Sequence, residues 1–264
     1  MLSRIVTAII GLAIVIPTLL YGGTIGVEIL CAVAVLIAAD EYARMAVPGR
    51  TVAIPALMAA MGAVYAAVIW APAWGVAALA ASALFVFLFG LLLVDQTAEG
   101  EKVATRMAAG LLYVPVLISF IPQVRRFDDG LTWIFLILVV TWLGDTGAYF
   151  AGRALGKTKL FERVSPKKTW EGAIGGAVAA VIGACIIKTV GLPELSWIHA
   201  IMLGLILDVS GVVGDLTESL LKRSFGVKDS GWIMPGHGGV LDRIDSILFS
   251  APVAWIYVTA FGLG

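Results

Sequence analysis

Asp145 stands in the apolar stretch Trp142-Leu143-Gly144-Asp145-Thr146, Asp208, Asp215 and Glu218 stand in a second, and Asp242 and Asp245 open a third. An Asp at the centre of a membrane helix costs about 2.5–3.5 kcal/mol on insertion scales. Several together also repel, so a cation must sit among them. Two readings satisfy that need. Either the acids make interhelical salt bridges to Arg243 or Lys222 or reach interfacial water, or they line a divalent-cation site in a water-filled cavity. Asp208 and Asp215 are seven apart and Asp215 and Glu218 three apart, so they share one helical face, as do Asp242 and Asp245.

Two basic segments lie beside these acids. Gly152 to Glu171 reads GRALGKTKLFERVSPKKTWE. The other runs from Lys222 and Arg223 through Lys228 to Arg243 and carries Gly226, Gly231, Gly236, Gly238 and Gly239, a density that lets backbone amides approach an anion. His237 reads as a turn residue, a phosphate or base contact, or a metal ligand. Ala151-x4-Gly156-Lys157-Thr158 matches a relaxed phosphate-loop pattern, but an apolar helix precedes it and no strand–loop–helix context exists, which argues against that motif. Gly172-x3-Gly176 is a helix-packing spacing. Carboxylates for a hard cation beside Lys and Arg for anionic oxygens are the parts of a phosphoryl-type transfer. Mg²⁺ is usually held by one or two carboxylates plus substrate phosphates, and four or five acids could hold two cations.

The elements that must position these groups are membrane helices. Of 264 residues, 60% are hydrophobic and only 14% charged, and the mean hydropathy is +1.00. Soluble domains carry about 25% charged residues. The net charge is zero, so bulk charge gives no case for nucleic acid as a partner. Cys31 and Cys185 lie in apolar runs and imply neither a disulfide framework nor a zinc site. Nine apolar runs of spanning length occupy 5–21, 24–39, 52–70, 75–94, 107–122, 131–151, 172–192, 197–221 and 244–261. The first lacks a cleavage motif and reads as a retained helix.

With nine spans, fifteen of the 18 Lys and Arg fall on one side, leaving Arg125, Arg126 and Lys188 on the other. That asymmetry predicts a cytosolic N-terminus and cytosolic basic loops. At 1.5 Å per residue, Asp145, Asp215, Asp242 and Asp245 then share the cytosolic third of the bilayer, with Asp208 deeper. The expected fold is all-α and polytopic, with a scaffold over 1–130 and a catalytic region over 131–264 whose cytosolic loops are 152–171 and 222–243.

The run from Ser219 to Arg223, then Lys228-Asp229-Ser230-Gly231, then Pro235 through Asp245, resembles the signature of phosphatidate cytidylyltransferases, the CDP-diacylglycerol synthases. Gly144-Asp145-Thr146-Gly147-Ala148-Tyr149 with Gly152-Arg153, and Ser165-Pro166-Lys167-Lys168-Thr169 with Glu171-Gly172, resemble the same family, over roughly 142–250. Met234 departs from the Leu, Ile or Phe expected there.

The resemblance implies that CTP and phosphatidate give CDP-diacylglycerol and pyrophosphate by metal-assisted in-line attack at the CTP α-phosphorus. It further implies Mg²⁺, a second cation K⁺, a homodimer and a multi-pass inner-membrane protein with a cytosolic site. Asp215, Asp242 and Asp145 would be metal ligands, and Asp245, Lys222, Arg223 and Lys228 catalytic. Ser165, Lys167, Lys168, Ser219, Asp229, His237, Gly238 and Arg243 would bind substrate. The nucleophile is a phosphate oxygen whose second pKa is about 6, so no Ser-His-Asp device is required. The competing classes are a transporter, whose acids would span the membrane depth, and a CTP-dependent lipid kinase, which would release CDP.

Overall fold

The computed structural model describes residues 2–94, 96–234 and 238–264, so the His237 expectation lies outside the described residues. Helix makes up 80% of the chain. The order is α1 (Leu2–Tyr21), α2 (Gly23–Ala46), α3 (Ala53–Trp70), α4 (Gly75–Leu93), α5 (Thr97–Leu111), α6 (Phe120–Arg125), α7 (Gly130–Leu155), β1 (Lys159–Phe161), β2 (Ser165–Thr169), α8 (Trp170–Gly191), α9 (Trp197–Ser224) and α10 (Leu241–Ala260). Each of the nine apolar runs maps onto a helical stretch. Among the described residues, seven stretches are long and apolar enough to cross a membrane. This is an all-α, multi-pass membrane fold.

Local chemistry sets the breaks. Gly23 at φ +59° takes the left-handed turn between α1 and α2 that a side chain would resist. Pro72 opens a single 3₁₀ turn, Pro72–Trp74, ahead of α4. Pro115 cannot donate to the helix ladder, and the chain widens there into a π turn over Leu112–Val116.

The described chain forms two compact units, Met1–Pro122 with Phe225–Arg243, and Gln123–Ser224 with Ile244–Gly264. The glycine-rich segment thus groups with the N-terminal helices. In the first unit Tyr42, Leu57, Met61, Tyr65, Met107 and Leu111 are fully buried. Tyr42 donates to the Arg106 carbonyl at 2.9 Å, and Arg106 donates to the Ala46 carbonyl at 2.8 Å, closing the end of α2. Glu28, buried in α2, accepts from the Trp70 indole at 2.9 Å. In the second unit α8 turns Ile174, Val178, Ile182, Ile186 and Val190 outward at four-residue spacing, a ridge suited to lipid.

Its opposite side packs on α7 through small residues. A methyl at Gly147 would meet the Gly175 carbonyl at 2.7 Å, and one at Gly176 would meet the Gly144 carbonyl at 2.9 Å. The helix-packing role expected of Gly172 and Gly176 is what the structure shows.

Candidate active site

The second unit holds a cavity of about 350 Å³ built by α7, the hairpin, α8 and α9. Asp145, Asp208 and Asp215 line it together with Arg153, Lys167 and Lys168. The carboxylates arrive by helical spacing. Asp145 comes from α7, and Asp208 and Asp215, two turns apart, come from one face of α9. Gly144 makes room for this: a methyl there would collide with Asp208 Oδ1.

The two lysines arrive on a β-hairpin that an all-helical reading did not foresee. Its strands are antiparallel, pairing Lys159 with Thr169 and Phe161 with Ser165. Lys159 Nζ donates to the Pro166 carbonyl at 2.7 Å. Thr169 caps α8 by accepting from Gly172 N at 3.1 Å, and Glu171 in the first turn accepts from Thr158 N at 3.1 Å. The basic segment is therefore anchored at both ends. Lys168 Nζ stands 2.7 Å from Asp215 Oδ2, and Ser219 Oγ donates to Asp215 Oδ1 at 3.4 Å. Three expected site residues thus converge.

A second acid group lies nearby in the same unit. Asp245 hydrogen-bonds Glu218 and stands within electrostatic reach of Asp215 and Asp145. A methyl at Gly214 would meet the Asp245 carbonyl, which fixes how closely α10 approaches α9. Glu218, 1% exposed, pairs with Lys222 at 3.0 Å one helical turn on. The salt bridge proposed for Lys222 therefore exists, but within α9 rather than between helices. Lys222 is buried, whereas Arg223 is exposed.

In the first unit, Phe225–Arg243 folds around two carboxylates. Asp242 Oδ2 accepts from Ser230 N at 2.8 Å, Ser230 Oγ at 2.7 Å and Gly239 N at 2.8 Å. Gly238 at φ +80° leaves no room for a methyl, which would strike Asp242 Oδ2. Phe225 anchors the segment, its ring edge-on to Tyr42 at 5.9 Å with the Arg106 guanidinium 4.9 Å above it. Lys228 and Asp229 are exposed, as is Arg243 in the first turn of α10.

The second carboxylate is Glu41, from α2. It is 4% exposed and accepts from Val240 N at 2.8 Å and Leu241 N at 3.0 Å. Sequence reasoning missed it. The second apolar run ends at 39, which leaves Asp40-Glu41 to read as loop acids, and the partners are some 200 positions away. The signal was the same one that marked Asp145: a carboxylate continuing an apolar helix.

Fold and site together define a multi-pass membrane protein carrying an acid-and-base cavity suited to phosphate chemistry. The chain matches the model of the Cytidylyltransferase family over residues 2–261 and belongs to that family. It is similar to a phosphatidate cytidylyltransferase of Bacillus subtilis, 42% identical over 180 residues, or 68% of this chain and 66% of that protein. One of Brucella suis is 42% identical over 172 residues, covering 65% and 62%. One of Staphylococcus aureus is 36% identical over 258 residues, covering 95% and 96%. The chain thus spans just under two thirds of the first two relatives and nearly all of the third.

Proposed function

We propose that the protein transfers the cytidylyl group of CTP to phosphatidate, giving CDP-diacylglycerol and pyrophosphate. The observation that carries this reading is the cavity in which Asp145, Asp208 and Asp215 meet Arg153, Lys167 and Lys168. The relatives' names supply the substrates. In the reaction a phosphate oxygen of phosphatidate attacks the α-phosphorus of CTP, the new P–O bond forms in line, and the bond to pyrophosphate breaks. Because phosphate's second pKa is about 6, the nucleophile is already ionised at neutral pH. What remains is to bring two anions together and to hold the leaving charge.

Lys167 and Lys168 suit the first task, since a cavity with low-dielectric walls strengthens their attraction for phosphate oxygens. Asp215 keeps Lys168 in place at 2.7 Å. Arg153 suits a bidentate phosphate contact. Among the described residues no three Asp, Glu, His or Cys converge to enclose a cation by themselves. Asp145 and Asp215, which line the cavity, suit Mg²⁺, which one or two carboxylates would hold while substrate phosphates complete its shell. When bound, it supplies neutralising charge at the reacting phosphates. The reading also takes K⁺ as a second cation, two copies of the chain as the working unit, and a site facing the cytosol.

Purified protein supplied with labelled CTP, phosphatidate and Mg²⁺ should yield a CDP-lipid and pyrophosphate in equal amounts. Release of CDP alongside a phosphorylated lipid would establish the kinase reading instead, and turnover of neither kind would overturn both.

A further inference from the structure

We infer that Glu41, in the N-terminal half, is the positioning residue for the glycine-rich segment and, through it, for Asp242. The segment carries Lys228, Asp229, Gly238 and Arg243, so the inference rests on the cytidylyl-transfer reading.

The donors that Glu41 takes up are those a helix start leaves over. Leu241 N is the first amide of α10 and Val240 N the one just before it, and neither has a carbonyl one turn back to bond. Val240, immediately before the helix, has no side-chain oxygen to cap them. The cap comes from α2 instead: Glu41 Oε1 accepts from Val240 N at 2.8 Å and Oε2 from Leu241 N at 3.0 Å, with negative charge at the positive end of the helix dipole. Two glycines admit the carboxylate. A methyl at Gly231 would stand 2.7 Å from Glu41 Oε1, and one at Gly239 would strike Glu41 Oε2.

Ser230 links this cap to Asp242. Its hydroxyl lies 2.7 Å from Asp242 Oδ2 and 3.4 Å from Glu41 Oε2, and its single proton goes to the nearer oxygen. Glu41 therefore stands behind the group that orients Asp242, while Gly239 N, next to the capped amides, donates to the same Asp242 oxygen at 2.8 Å. Removing an outer partner of this kind typically costs 10–100-fold in activity or metal affinity.

Glu41→Gln is the test, because it keeps the shape but turns one acceptor into an NH₂ facing a donor. The full-length protein is expected to lose about 10–100-fold in kcat/KM, mainly in kcat. Amide hydrogen exchange over 228–243 should also accelerate. Ser230→Ala should lose activity in the same range, and the double variant should lose no more than the worse single one. Glu28→Leu, which removes Trp70's acceptor from the same helix, should lower Tm and leave kcat/KM and the exchange of 228–243 unchanged. Wild-type kinetics in Glu41→Gln, unchanged exchange, multiplicative losses, or an equal kinetic loss in Glu28→Leu would each overturn the inference. If the wild type forms no CDP-lipid, the functional reading fails, and the exchange comparison still decides whether Glu41 holds the segment.

Discussion

Lys168 and Asp215 form the contact on which the site's chemistry turns. Each is about a quarter to a third exposed, so the pair is wet enough to open for an incoming phosphate. Removing one preorganised charge-stabilising group typically costs about 10²–10³-fold in kcat. Lys168→Met and Asp215→Asn are each expected to lose on that order in the labelled-CTP assay, with the protein still folded and membrane-inserted. Lys222 differs. Its partner Glu218 is buried, so Lys222→Met strips a counter-ion from an interior carboxylate, a change worth about 3–5 kcal/mol in buried pairs. It should lower Tm in a detergent melt as well as activity. A loss of activity with unchanged Tm would show that Lys222 acts on substrate alone.

Helices were the legible part of the sequence, and the hairpin was not. Twenty-residue apolar runs leave few alternatives in a bilayer, so α3, α8 and α9 fall close to their expected bounds. The carboxylates on α7 and α9 were legible for the same reason: spacing on a known helix fixes a face. Nothing comparable marks Lys159–Phe161 and Ser165–Thr169, because strands this short carry too little period-two pattern, and Pro166 argues against one. Glu41 was hidden differently, since its partners meet it only in three dimensions. Between α7 and α8 the backbones touch, and this can be tested at the level of the elements. Gly175→Val would drive its side chain into Ala151, an overpacking worth about 1–3 kcal/mol, read as a lower melting temperature. Gly144→Ala should instead displace Asp208 and reduce turnover before it reduces stability.

Across the whole molecule, the distribution of basic residues predicts which ends of the helices share a side of the membrane. In a background lacking Cys31 and Cys185, single cysteines at Lys157 and Trp232, both exposed, should react with an impermeant thiol reagent only after cells are opened. A cysteine at Glu194, also exposed, should react in intact cells. The reverse pattern at any of the three would overturn the orientation.

The first unit is also discontinuous in the chain: the bond from Leu241 N to Glu41 spans 200 positions. At about 5–20 residues per second of synthesis, roughly 10–40 s pass between the appearance of α2 at the ribosome and the arrival of the amides it caps. The N-terminal helices are thus made first and finished last. A chain cut short before residue 240 would enter the bilayer with Glu41 still waiting for Val240 and Leu241, and quality-control proteases would meet it in that half-built state.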